Sequence, residues 1–220
     1  LLTQLVGVTL YPWMESSPWG HALLTAFGVL VLVAALRVVV RTPWLTWFAL
    51  VLALIIVVLS VISTIAPSPG LTVATASMEA MFYFYATGSL IAYMMQDWVA
   101  TTDEFFAAGA TFTLLAWAFA YLYVACQALI PGSFSGPVDP QAARTWMELL
   151  FLSVAVLSSV GLSDILPVTP MGRALVMLES FAGVMYIALV VSHLISLRAA
   201  ARRDRVENDA PGSGSKELRS

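Results

Sequence analysis

The sequence predicts an all-α membrane protein, with transmembrane helices flanking a short helix and loop that re-enter the bilayer without crossing it. Three observations predict it. Sixty per cent of the 220 residues are hydrophobic and only 10% are charged, with a mean hydropathy of +0.89. A water-soluble domain of this length cannot hide so much apolar surface, so lipid must be the solvent. Five apolar runs reach the roughly 20 residues that a span requires: Trp19–Val40, Trp44–Ala66, Thr72–Met95, Glu104–Ile130 and Met171–Leu197. A sixth run, Pro140–Leu157, begins with Gln141, Arg144 and Thr145 among its first residues and keeps about a dozen apolar ones, too few to span.

Taken in order, Leu1–Tyr11 reads as the end of an apolar helix that starts further upstream. It has neither a basic leader nor a small-residue cleavage site, so it is not read as a signal peptide. Turn chemistry separates the runs that follow: Pro12 to Pro18, Arg41-Thr42-Pro43, Pro67-Ser68-Pro69-Gly70 and Pro131-Gly132-Ser133. Thr101-Thr102-Asp103-Glu104 has the spacing of a capping box before the fourth run. Asp139-Pro140 reads as cap and first residue of the short helix, and Thr169-Pro170 as cap and first turn of the last run. Arg37 and Arg41, and the cluster Arg198, Arg202, Arg203 and Arg205, mark the cytoplasmic side, which places the C-terminus there. Between Arg41 and Arg144 no Lys or Arg occurs. With the upstream helix this makes six spans. The tail from Glu207 is charged, then rich in Gly and Ser, and is expected to be flexible.

The short helix is followed by Ser158-Ser159-Val160-Gly161-Leu162-Ser163-Asp164, then Ile165-Leu166-Pro167. Non-helical backbone at membrane depth is tolerated only where it is buried in protein or lines water. The segment resembles the potassium-channel signature T-T-V-G-Y-G-D, with Ser158-Ser159 for the two threonines, Leu162 for the tyrosine and Ser163 for the second glycine. The likeness covers roughly residues 104–197 and implies a potassium-channel-like pore-loop cation channel of the two-pore-domain or ion-channel-2 type. The implied form is the prokaryotic six-helix one with a non-voltage-sensing N-terminal region. It further implies an outer helix at 104–130, a pore helix at 140–157, a selectivity filter at 158–164 and an inner helix at 171–197, assembled as a homotetramer. Residues 1–96 are then a transmembrane scaffold, 97–200 the pore domain and 201–220 a cytoplasmic tail.

A permeating cation sheds water, and rings of backbone carbonyls replace it. The resemblance gives that role to Ser159, Val160, Gly161, Leu162 and Ser163, with potassium, and sodium beside it, as the ions held and no other cofactor. Asp164 would place a carboxylate at the outer mouth. Ser163 carries a Cβ where the family has glycine, and a left-handed backbone there costs an L-residue about 1 kcal/mol or more. Leu162 cannot make the tyrosine's hydrogen bond. Both departures weaken the outer layer and with it strict potassium selectivity. Ser158, Glu148 and Glu179 are the expected supports of the filter. Glu179 is ionisable at membrane depth and needs either a partner on the pore helix or its proton. Gly183, nineteen residues beyond Asp164, matches the family's hinge position, although glycine in membrane helices also serves close packing. Glu79 and His193 are the other titratable groups in apolar runs, and Cys126 reads as a small buried packing residue.

The span before the pore, Thr72–Met95, lacks the repeated arginines of a voltage sensor. Gly161-Leu162-Ser163 with His193 has the residue types of a serine–histidine dyad, but Met171 to His193 is about 33 Å of helix, which separates them across the membrane. No internal repeat suggests a transporter. The reading is a multi-pass plasma or inner membrane channel subunit, not an enzyme, with lipid and its own copies as partners and no nucleic acid. A weakly selective sodium and potassium channel, or a non-conducting scaffold, are the alternatives.

Overall fold

In the computed structural model, residues 43–96 and 102–209 are described, together with Val6 and Thr9. The expected span Trp19–Val40, the loop at Arg37–Arg41, the capping box at Thr101 and the Gly/Ser tail lie outside the described residues.

Over residues 43–96 and 102–209, apolar composition and turn residues set five helices and one two-stranded ribbon. Helix α1 is Pro43–Ile65 and α2 is Pro69–Gln96. Ser68 caps α2, accepting the Leu71 amide at 3.3 Å, with Pro69 at the first helical position where no amide is needed. Helix α3 is Thr102–Leu129. It stops at Pro131-Gly132, where Gly132 takes a positive φ of 77°. After a strand β1 (Phe134–Ser135) comes α4 (Trp146–Leu157), then β2 (Leu166–Pro167) and α5 (Pro170–Asp209). Thr169 caps α5 as its sequence predicts, its hydroxyl accepting the Gly172 amide at 3.2 Å.

Two described segments are long and apolar enough to cross a membrane, Phe106–Leu129 and Pro170–His193. Helix α2 has the length, but Thr72, Thr75, Ser77, Glu79, Thr87 and Ser89 dilute its apolar character. Its broadest packing is against α3. The small buried residues Ala116, Ala118 and Ala120 let neighbouring helices approach α3 closely. Tyr83 of α2 stacks on Tyr121 at 5.6 Å and meets the edge of Trp117, and both of these rings touch Trp146 at the start of α4. The core thus runs from α1 and α2 through α3 to the re-entrant segment.

Two boundaries differ from expectation. Helix α4 starts at Trp146 and not at Pro140, because a capping box at Thr145 and Glu148 lies downstream. Asp139 instead closes a turn, accepting the Gln141 amide at 3.1 Å. The last helix continues through the charged stretch 201–209, expected to be flexible, because Ala199, Ala200, Ala201, Arg202 and Arg203 are strong helix formers.

Candidate functional site

Helix α4 has 12 residues, about 18 Å, against a hydrocarbon core of about 30 Å. It therefore ends inside the bilayer if it enters from one face. Its last carbonyls would be orphans there, and the chain satisfies them by folding back. The Ser159 amide donates to Val156 O at 2.9 Å, while those of Val160 and Gly161 both donate to Ala155 O at 3.1 and 2.9 Å. That pattern is a Schellman ending with Ser159 at the left-handed position, φ 60°. Gly161 is left-handed too, φ 68°, and open space surrounds the place where a Cβ would stand. The left-handed residues alternate: 159, then 161. Ser163 does not continue the series, since Ser159 is the one non-glycine described residue with positive φ. The strain expected at Ser163 is thus at Ser159. The Ser163 amide donates to Gly161 O at 3.0 Å and its hydroxyl accepts the Ile165 amide at 3.1 Å, turning the chain outward. Residues 159 to 162 and Asp164 are exposed, with Leu162 75% exposed. Among the described residues no wall covers Leu162.

A neck holds the segment at its outer end. Strands β1 and β2 pair antiparallel, Phe134 with Pro167 and Ser135 with Leu166. Beside them the Val168 amide donates to Ser133 O at 2.9 Å, and the Thr169 and Ser133 hydroxyls are 3.1 Å apart. Gly172 faces Ser133 O, which a Cβ would meet at 3.1 Å. Buried Arg144 braces the loop before α4: its guanidinium donates to the carbonyls of Asp139 and Ala142. Its backbone exchanges two bonds with the Gln127 side chain, at 2.8 and 3.0 Å. Gly136 leaves room for it, since a Cβ there would sit 2.0 Å from the guanidinium and Arg144 would have to shift. Glu148 belongs to this outer structure. It caps α4 with Thr145 and pairs with Arg144 at 3.4 Å. Ten residues, about 15 Å of helix, separate it from Ser158, so it does not touch the segment it was expected to brace.

Behind α4 the inner helix makes two contacts that matter. Glu179 is fully buried. One carboxyl oxygen accepts from the Tyr123 hydroxyl of α3 and the other is hydrogen-bonded to the Ser153 hydroxyl of α4. Ser153 Oγ also lies 2.8 Å from the Ala116 carbonyl oxygen. The partner expected on the short helix is therefore Ser153. One turn further along α5, Gly183 passes the end of α4 so closely that a Cβ would be 2.3 Å from Leu157 O. That contact alone demands glycine, whatever bending the helix undergoes.

Ser158 forms the C-cap of α4, with its hydroxyl 3.3 Å from Ala155 O. Segment 158–164, Glu179 and Gly183 are thus gathered around the end of α4, while Glu148 stands apart. Cys126 is buried and free. Glu79 is half-buried on α2, and His193 is half-buried with an enclosed Nε2 that has no hydrogen-bond partner. Sequence reading missed Ser153 and Tyr123. Their signal was Glu179 itself, because an acid at depth needs polar neighbours, and Ser153 is the only hydroxyl residue of α4.

Residues 109–198 match the family model described as "Ion channel". No curated protein and no solved structure matches the chain. The matched stretch takes in most of α3, the neck, α4, the 158–164 segment and the apolar length of α5, the elements just assembled. The chain is a helical membrane protein whose residues 109–198 carry an ion-channel domain, a match that supports a potassium-channel-like pore family.

Proposed function

We propose that four copies of the chain form a monovalent cation channel, with segment 158–164 as the filter and α5 lining the inner pore. The observation that carries this is the helix too short to cross, ending between two helices that can, with exposed backbone at its tip. One subunit supplies one strand of oxygens, and a dehydrated cation needs oxygens on all sides. Much of α5 is also uncovered, Phe181 at 72% and Leu178 at 60% exposed, as a helix facing its own copies would be. The C-terminus lies in the cytoplasm, where the Arg198–Arg205 cluster belongs.

Ser159, Val160, Gly161 and Leu162 offer the carbonyls. Alternating left-handed residues turn successive peptides toward a common side, which supports coordination at the inner layers. The alternation ends at Gly161, which supports a weaker outer layer at Ser163 and Asp164. Potassium therefore permeates, with less discrimination against sodium than in a complete T-V-G-Y-G filter. Flux of potassium and sodium into liposomes, with single-channel recording, tests this. Permeation of both ions with potassium preferred is expected. No flux from protein shown to be tetrameric overturns the channel reading, and complete sodium rejection overturns the argument about the outer layer.

A further inference from the structure

The hydrogen-bonded group behind α4 contains more contacts than hydroxyl protons. There are three contacts: Tyr123 to one oxygen of Glu179, Ser153 to the other, and Ser153 to the Ala116 carbonyl oxygen at 2.8 Å. A carbonyl oxygen only accepts, and each hydroxyl has one proton to give. Tyr123 spends its proton on Glu179. Ser153 can serve Ala116 or Glu179, not both. If Glu179 were a carboxylate, two oxygens would face each other with no proton between them. With one more proton, on the Glu179 oxygen next to Ser153, every contact is satisfied: Glu179 donates to Ser153 Oγ, Ser153 donates to Ala116 O, and Tyr123 donates to the other Glu179 oxygen.

The surroundings agree. Glu179 and Ser153 are fully buried. A buried charge is tolerated only when paired. Of the elements packed against it, α3 contributes Tyr123 with Cys126 beside it, and α4 contributes Ser153. Among the described residues the one ion pair is Arg144–Glu148, at the other end of α4. Three helices therefore meet through one carboxyl group; its partner Ser153 lies five residues before the filter begins, and Glu179 itself four before Gly183, which touches Leu157.

We propose that Glu179 is a positioning residue held as the neutral acid, whose proton on Ser153 fastens the short helix to the inner helix and so sets the height of the filter. The functional half of this rests on segment 158–164 being the ion pathway; the protonation half does not.

The test uses the full chain in lipid. Infrared difference spectra between the wild type and Glu179→Gln should contain a carboxylic acid C=O band that the variant lacks, and Ser153→Ala should shift that band by removing its acceptor. Carboxylate bands in its place overturn the proposal. Glutamine has the shape of the neutral acid, with an N–H for Ser153 and an oxygen for Tyr123. Potassium flux through Glu179→Gln should therefore stay within about twofold of wild type, while Glu179→Leu, which leaves the Tyr123 hydroxyl without an acceptor and cuts the tie between Ser153 and α5, should lose roughly tenfold or more. Glutamine as damaging as leucine in assembled protein also overturns it. Where the wild type itself conducts nothing, the filter reading fails and the infrared difference alone decides the protonation.

Discussion

A left-handed backbone costs a serine about 1 kcal/mol that a glycine escapes, and Ser159 holds it at the end of α4 all the same. Strain of this kind persists where the surroundings impose it, here through the amides of residues 159 to 161 returning to Val156 and Ala155. Ser159→Gly should raise the thermal stability of the subunit by about 1 kcal/mol, read as a higher midpoint in detergent. It should also change ion permeability, since it deletes a hydroxyl at the inner end of the filter; equal stability with unchanged permeation would contradict both statements. Gly161 presents the opposite case. Nothing stands near its missing Cβ, so alanine would find room, but φ 68° would cost about 1 kcal/mol in each copy, and in the proposed tetramer that cost falls four times on one pore. Gly161→Ala should abolish potassium flux from assembled tetramers. Wild-type flux in that variant would show that 158–164 is not the ion path.

Among the elements, α4 and α5 are joined by contacts of a few ångströms that no substitution can widen cheaply. Gly183→Ala would set a methyl carbon 2.3 Å from Leu157 O, a backbone atom, and the end of α4 would have to move. Flux should fall sharply, and the loss should be larger than for alanine at Gly88, whose Cβ site is open. Equal effects at the two positions would remove the packing argument. The existence and order of the helices from Pro43 onward, the shortness of α4 and the cap of α5 were legible in the sequence, because apolar run length, Thr169 and Pro170 are local signals. The start of α4 was not. Asp139-Pro140 and Thr145-x-x-Glu148 are both valid beginnings, and the choice falls to Arg144, which spends its donors on the carbonyls between them. Ser153 and Tyr123 were hidden for a similar reason: they meet Glu179 across 26 and 56 residues, and no local pattern encodes such a meeting. The strain at Ser159 was read at the wrong serine, because the family pattern draws attention to the missing second glycine, whereas the helix ending sets which residue turns left-handed.

For the whole molecule, helix α2 reaches the short helix through rings. Tyr83 lies against Tyr121 and Trp117, and these lie against Trp146. Neither α1 nor α2 contains a basic residue. Moving one charge through the membrane field yields about 2.3 kcal/mol per 100 mV, so depolarisation alone should leave the open probability nearly flat. Recording in planar bilayers over a wide voltage range checks it, and a gating-charge transient of several charges would refute the assignment of these helices as scaffold.

The ribbon of β1 and β2 has a further consequence. It brings Phe134 beside Pro167, so everything between them forms a closed loop whose two ends leave the same point. Such a piece can be lifted out and spliced into another pair of helices without stretching the recipient. Its ribbon travels with it, as does Arg144, but the host must bring its own Gln127, its own acid opposite Ser153 and its own glycine opposite Leu157. A transplant that respects those three positions should keep its shape in a foreign frame, and one that ignores them should not.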